Sequence, residues 1–386
     1  MKILQVSTAS FADPRYYRSN EHAMCRSLAK LGHEVTLFCS DRAPKWQMLE
    51  ERPTLPQIET LDGFRIRRFR SGPEIGIVPM VPSMLQEIIA ADCDIVHAHD
   101  MLPPSSCYSA LAAILRRKPL VLTQHGYTIR STQGVKLLFH YFYNNTLGRF
   151  TLRAASAVLG LSAEAVKYVE QFGAKAATTF VIPNSVDTTL FQPNGRSLLN
   201  DRWRLERPIV LFVARLERRK GVLTLMKAFH DAASEVPNVK LVIVGKGPDE
   251  SSMLNLQREL NLKNVFFLGR LARHEMPFIY RGADLLVLPS TYEPFGNVVL
   301  EAMASGLPVI GSKIAGMADV IADGLTGYHI EPGSVRNLSK RMLELLTNEK
   351  LRKRMSRAAR SSAVERFDDM VIAKSIENVY RRCIGS

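Results

Sequence analysis

The sequence predicts an α/β protein of two Rossmann-like, doubly wound parallel-sheet domains in series, facing a central cleft. Three observations predict it. The length of 386 residues exceeds one ordinary domain and suits two. Short apolar runs alternate with longer segments of helical period along nearly the whole chain. Most runs are apolar without clean alternation, as strands covered on both faces must be.

In the first half KILQVS (2–7), EVTLFC (34–39), DIVHAH (94–99), LVLTQH (120–125), AVLGLS (157–162) and TFVIPN (179–184) read as strands. Residues 17–31 place Met24, Leu28 and Leu31 on one helical face and stop at Gly32. Such β-α alternation predicts right-handed crossovers. Residues 186–207 are polar, lack period and carry Pro193-Asn194-Gly195, so they read as the linker between domains at 1–186 and 207–365. A second alternation follows: PIVLFVAR (208–215), a helix over 221–235, VKLVIVG (239–245), a helix over 249–261 and NVFFLG (264–269). Then come a short helix near 274–281, DLLVLPS (284–290), a helix from about Phe295, LPVIGS (307–312) and a helix over 334–347. Ligands of such sheets sit beyond the carboxyl ends of the strands, which predicts His125, Arg215, Gly245, Gly269 and Ser290 around one crevice.

Composition bounds the function. An apolar fraction of 46% and a charged fraction of 23% are those of a globular protein. No run of eighteen apolar residues predicts a membrane span, and the first residues read as a buried strand rather than a signal peptide. Cys25, Cys39, Cys93, Cys107 and Cys383 are scattered and unpaired by spacing, which argues against zinc and disulfides and fits a reducing cytoplasm. The net charge of +14 points to an anionic partner: a nucleotide, a phospholipid surface, an acidic glycan or nucleic acid. No nucleic-acid-binding module is present, so nucleic acid is not expected.

The strongest motif is TYEPFGNVVLEAMASGLPVI (291–310), with Glu293 before a helix and Glu301 eight positions on, inside it. Backbone N–H groups around Phe295, Gly296 and Asn297 would form a helix N-terminus suited to phosphate. In FVARLERRKG (212–221), Arg215 follows a strand and Lys220 precedes a helix, a pair of cations suited to a diphosphate. VGKGPDE (244–250) lacks the full dinucleotide fingerprint, and no glycine-rich turn follows the first strand, so NAD binding is not expected. His125 closes a strand beside Gly126; taken alone, it and the pair His97 and His99 read as structural. Asp92 and Asp94 form a D-x-D with no second carboxylate cluster nearby, and no metal is expected there.

Together these pieces resemble glycosyltransferase family 4, a retaining family of GT-B fold with an E-x7-E signature. The resemblance is carried in order by LAKLGHEVTLF (28–38), DIVHAHD (94–100), TQHG (123–126), VIPNSVDTTLF (181–191), ARLERRKG (214–221), VGKGP (244–248), FLGRL (267–271), EPFGNVVLEAMASGLPVI (293–310), ADGLTGY and EPG (322–333). It implies an N-terminal acceptor-binding and a C-terminal nucleotide-sugar-binding domain, with a last helix within 366–386 crossing back to the first. It implies that Glu301 holds the nucleotide ribose, and that Glu293 contacts the donor sugar. Arg215 and Lys220 would stabilise the leaving diphosphate, helped by amides at Gly296 and Asn297, with Phe295, Val298 and Gly245 in the donor site. Arg270 and Leu271 would line the base pocket, and His125 would lie near the sugar's C6 side. The family's Gly-Gly loop after the first strand is replaced by STASFADPRYYRSNEHA (7–23), where Asp13, Arg15 and Arg18 become acceptor-side candidates.

The implied activity is metal-independent, cofactor-free transfer from a nucleotide-diphosphate sugar, UDP-linked in preference to GDP-linked, to a glycan or lipid-linked acceptor in surface-glycan, lipopolysaccharide or exopolysaccharide assembly. The rivals are a nucleotide-sugar epimerase of the same architecture and a non-catalytic basic lipid-binding scaffold. Residues 135–153 mix aromatic, aliphatic and basic types. They read first as a core helix, and alternatively as a face resting on anionic lipid at the inner surface of the cytoplasmic membrane.

Overall fold

The computed structural model describes residues 1–7, 19–41, 55–72, 74–75, 78–126 and 135–385. The chain divides into two units, Met1–Asn184 with Asp369–Ser386, and Ser185–Asp368.

The first unit contains β1 (Lys2–Ser7), α1 (Asn20–Lys30), β2 (Glu34–Ser40), β3 (Ile58–Leu61) and β4 (Phe64–Phe69). After a two-strand ribbon, β5 (Glu74–Ile75) and β6 (Val78–Pro79), come α2 (Ser83–Ala90), β7 (Ile95–His99), α3 (Pro104–Arg116) and β8 (Leu120–Gln124). Then follow α4 (Val135–Tyr143), α5 (Arg149–Ala154), β9 (Ala157–Gly160), α6 (Ala163–Gln171) and β10 (Thr179–Val181). The sheet runs β10-β9-β8-β7-β1-β2-β4-β3, parallel except for β3 against β4. Its order reverses at β1, between β7 and β2, which marks the switch point for ligands. The six predicted strands of this half coincide with β1, β2, β7, β8, β9 and β10.

The hairpin β3–β4 lies outside the strands expected from the sequence, because Arg65, Arg67, Arg68 and Arg70 break up its apolar positions. Its turn is Asp62-Gly63, both left-handed (φ +49° and +85°). Phe64 and Ile66 face the core, while Arg68 is buried against Glu59 at 2.7 Å. Helix α1 starts where Ser19 Oγ accepts the His22 N–H at 3.2 Å.

The second unit contains α7 (Leu198–Asp201), β11 (Ile209–Val213), α8 (Val222–Glu235), β12 (Lys240–Val244), α9 (Glu250–Glu259), β13 (Val265–Gly269) and α10 (Met276–Tyr280). It continues with β14 (Leu285–Leu288), α11 (Asn297–Ala304), β15 (Val309–Ser312), α12 (Ala315–Val320), β16 (Gly327–Ile330), α13 (Val335–Thr347) and α14 (Glu349–Arg366). Its sheet is wholly parallel, in the order β13-β12-β11-β14-β15-β16, and switches between β11 and β14.

Residues 186–207 are not a free linker. Phe191 and Leu199 are fully buried in the second unit. Arg360 donates to the carbonyls of Thr188, Phe191 and Ala304, and Arg281 to that of Gln192. Arginine-to-carbonyl bonds hold this segment, so it needs no periodic apolar pattern.

The last helix, α15 (Asp369–Ile384), belongs to the first unit. Ile372, Ile376, Val379 and Tyr380 join Ile3, Leu28, Ile95 and Val121 in one core; Leu4, Val6, Val96 and Leu122 build another. Neighbours along one strand feed different cores, so both sheet faces are covered. Arg26 of α1 pairs with Asp369 at 2.5 Å.

Residues 135–153 depart from the core-helix expectation. α4 passes through a π-helical turn, Asn144–Gly148, into α5. Leu138, Tyr141, Phe142, Leu147 and Phe150 are exposed, as are Ile114 and Leu115 of α3.

Candidate functional site

In the second unit the carboxyl ends of β11, β12 and β14 are tied together by loops. Gly245 N donates to Gly269 O at 2.8 Å, and Leu216 N to Lys246 O at 3.1 Å. A Cβ on Gly245 would fall 1.9 Å from the Ala214 carbonyl, and one on Gly221 would fall 2.0 Å from that of Pro289. Both positions require glycine, and the second presses the segment after β11 onto the end of β14. Thr291 N then donates to Arg219 O at 2.8 Å.

That contact delivers Lys220 to Glu293: the ammonium and carboxylate form a close ion pair, each side chain only 12% exposed. Gly296, left-handed at φ +91°, precedes the first turn of α11, and a Cβ there would lie 3.4 Å from Glu293 Cγ. Lys220, Glu293 and the start of α11 are therefore one cluster. Phe295 is buried, Val298 half-buried and Asn297 exposed at that helix start. Arg215 is turned to another partner: Glu217 accepts it at 2.7 Å and Arg219 at 2.6 Å.

Glu301 is buried inside α11 and fully engaged. Arg273 donates to Oε1 at 2.9 Å, and the Tyr280 hydroxyl to Oε2 at 2.9 Å. Burial, then the neighbouring carboxylate, pushes the Tyr280 hydroxyl far above its ordinary value, so it remains a donor. Arg273 is not singled out by the sequence, where the expectation falls on Arg270, three positions earlier and here exposed, and on Leu271, half-buried. The available signal was a basic residue just past β13, at the same sheet edge. Among the described residues, Ser290 Oγ beyond β14 and Ser312 Oγ at the end of β15 are buried without a hydrogen-bond partner. Unpaired hydroxyls at a sheet's carboxyl edge are a cost that a bound polar ligand would relieve.

In the first unit His125 follows β8. Its backbone N–H donates to the Asp100 carboxylate at 2.8 Å. Its Nε2 lies 2.9 Å from His99 Nδ1 and 4.0 Å from Glu21. His97, His99 and His125 stack in sequence, with centroids 4.7 and 5.1 Å apart. Burial lowers His99 to about 3 and His97 well below its usual value, so both rings are neutral. These two histidines thus join a polar network rather than an apolar core. Ligand atoms of Glu21, His99 and His125 lie within 4.8 Å of one another, a donor set able to hold a metal ion. Both nitrogens of His99 are already used in hydrogen bonds. Asp92 pairs with Lys2 at 2.5 Å, and Asp94 accepts the Lys2 backbone N–H at 2.7 Å. Asp13, Arg15 and Arg18 lie outside the described residues.

Residues 22–190 match the family described as Glycosyltransferase Family 4, and residues 200–362 that described as Glycosyl transferases group 1. The chain is 30% identical over 309 residues to alpha-maltose-1-phosphate synthase of Mycolicibacterium smegmatis, covering 75% of this chain and 79% of that one. The chain belongs to the GT4-type glycosyltransferases. This glycosyltransferase is also 27% identical to D-inositol 3-phosphate glycosyltransferase of Corynebacterium aurimucosum, across 92% of its own length and 88% of the relative's. Its GT-B fold is shared with Anabaena HepE, solved in complex with UDP, at a TM-score of 0.78 and 23% identity over 99% of this chain and 100% of that one.

Proposed function

We propose that this glycosyltransferase moves a sugar from a nucleoside-diphosphate donor, UDP-linked in preference to GDP-linked, to an acceptor hydroxyl with retained configuration and without a metal. The observation that carries the reading is the Lys220–Glu293 pair set against the start of α11. HepE, of like fold, binds UDP. The named relatives are, by their descriptions, a D-inositol 3-phosphate glycosyltransferase and an alpha-maltose-1-phosphate synthase.

In glycosyl transfer, positive charge grows on the ring while negative charge grows on the departing diphosphate. Lys220 and the backbone N–H groups of the first turn of α11 meet the negative end. Glu293 meets the sugar hydroxyls and the ring charge. Glu301, fixed by Arg273 and Tyr280, takes the ribose. Arg215 adds positive potential once its bond to Glu217 loosens. In the first unit His125 takes a substrate hydroxyl. In this reading no carboxylate serves as a covalent nucleophile, and the acceptor attacks the face from which the diphosphate leaves. That phosphate then takes the acceptor's proton. The product belongs to surface-glycan assembly, with a glycan or lipid-linked acceptor.

The test is turnover of Lys220→Ala. Loss of one preorganised donor should lower kcat on the order of 10²-fold. Near-normal kcat would overturn the assignment. Full activity in excess chelator is expected as well; abolished activity restored by a divalent ion would refute the metal-free reading.

A further inference from the structure

Gln5, in the middle of β1, sits at the switch point of the first sheet with its side chain fully buried. Its amide Nε2 donates to the Tyr380 hydroxyl of α15 at 3.0 Å and lies 3.3 Å from His97 Nδ1. Its Oε1 lies 2.8 Å from His99 Nε2. A carbonyl oxygen only accepts, so His99 carries its proton on Nε2. His99 is buried and neither of its nitrogens is hydrogen-bonded to a carboxylate, so the ring carries one proton and Nδ1 is a lone pair. The atom it faces, His125 Nε2 at 2.9 Å, must then be the donor. On the other branch the Tyr380 hydroxyl donates to His97 Nδ1 at 2.5 Å, and His97 Nε2 donates to Thr123 Oγ1 at 2.7 Å. All three rings hold the same tautomer. Among the described residues nothing hydrogen-bonds to His125 Nδ1.

We propose that Gln5 and His99 are positioning residues that lock His125 in its Nε2–H form, so that His125 offers Nδ1 as an acceptor and selects a donating hydroxyl over a phosphate oxygen. The proposal deepens the reading of His125 as a substrate contact and rests on it. The chemistry follows from donor counting: a ring whose single proton is directed inward has only a lone pair to present outward. A phosphate oxygen would meet lone pair against lone pair, whereas a sugar or acceptor hydroxyl completes the chain. Tyr380 makes the last helix part of this device, since its hydroxyl anchors the amide orientation of Gln5.

The experiment is a long-range ¹H–¹⁵N correlation spectrum of the full chain, ¹⁵N-labelled at histidine, near neutral pH. His125 should show a protonated Nε2 and a pyridine-type Nδ1. His99→Phe keeps a ring in the stack but removes the acceptor, so the His125 signals should move to the average of two tautomers. Gln5→Glu retains an acceptor for His99 and should leave His125 as in the wild type. kcat/KM should fall about tenfold in His99→Phe, the worth of roughly one hydrogen bond. A proton on His125 Nδ1 in the wild type overturns the proposal, as does an unchanged His125 pattern in a folded His99→Phe. Should that variant fail to fold, the wild-type spectrum and Gln5→Leu, expected to release His125 in the same way, decide the matter. If the tautomer is as stated but His125→Ala turns over normally, the substrate-contact reading is what fails.

Discussion

Lys220 and Glu293 lie 73 positions apart and meet because two glycines let the loops close. In the proposed function a diphosphate would take Glu293's place on the ammonium. The buried histidines have a different consequence. His99 and His97 are held neutral below their unfolded value of about 6.5, so the unfolded chain binds more protons than the folded one in that range. For His99 the stabilising effect is complete above about pH 6.5 and is lost as pH falls toward 3, and His97 acts in the same direction. Each should weaken the first unit by about 1.4 kcal/mol per pH unit below that range's upper end. Glu21, raised by its own burial but brought below its ordinary value by His125 and His99, acts in the same direction at lower pH. Melting temperatures from pH 7.5 to 5 should fall steeply in the wild type and less steeply in His99→Phe; equal slopes would contradict the assignment. At this scale the sequence showed the acidic pair and Lys220 through their spacing around a helix start. It hid Arg273 and the Gln5 network, whose members join through space and follow no period.

At the scale of elements, parallel strands were legible because burial on both faces leaves unbroken apolar runs. The β3–β4 hairpin was not: arginines alternate with Phe64 and Ile66, and a long aliphatic stem can cover a sheet while its charge finds Glu59 or solvent. The segment 186–207 reads as a linker for a related reason, since half-buried arginines satisfy its carbonyls in place of an apolar pattern. The loop after β11 offers a direct test. Gly221→Ala should cost at least about 2 kcal/mol, combining left-handed strain with the clash against Pro289. Gly324→Ala, also left-handed at φ +74° but with open space around it, should cost only about 1 kcal/mol. Chemical denaturation of the two variants compares them; equal losses would show that the β14 contact does not position Lys220.

For the whole molecule, the net charge of +14 and the exposed apolar residues of α3 to α5 bear on partners. Leu138, Tyr141 and Phe142 are each more than 60% exposed, and Arg153, further along the same helical run in α5, is exposed too. Aromatic and aliphatic side chains with basic neighbours suit an anionic lipid surface. No helix of the described residues is long and apolar enough to cross a membrane. The full chain should float with vesicles containing phosphatidylserine at low salt and release as salt rises, and Leu138→Ser with Phe142→Ser should reduce flotation severalfold. Absence of flotation at low salt would remove the membrane from the account.

The claim on which the account turns is that the second unit cradles a diphosphate between Lys220 and the first turn of α11. Isothermal titration of UDP into the full chain and into Lys220→Ala measures it most directly. A single site is expected in the wild type and about tenfold weaker binding in the variant, the worth of roughly one charge-assisted hydrogen bond. No heat at millimolar UDP, or equal affinity in the two proteins, would contradict it.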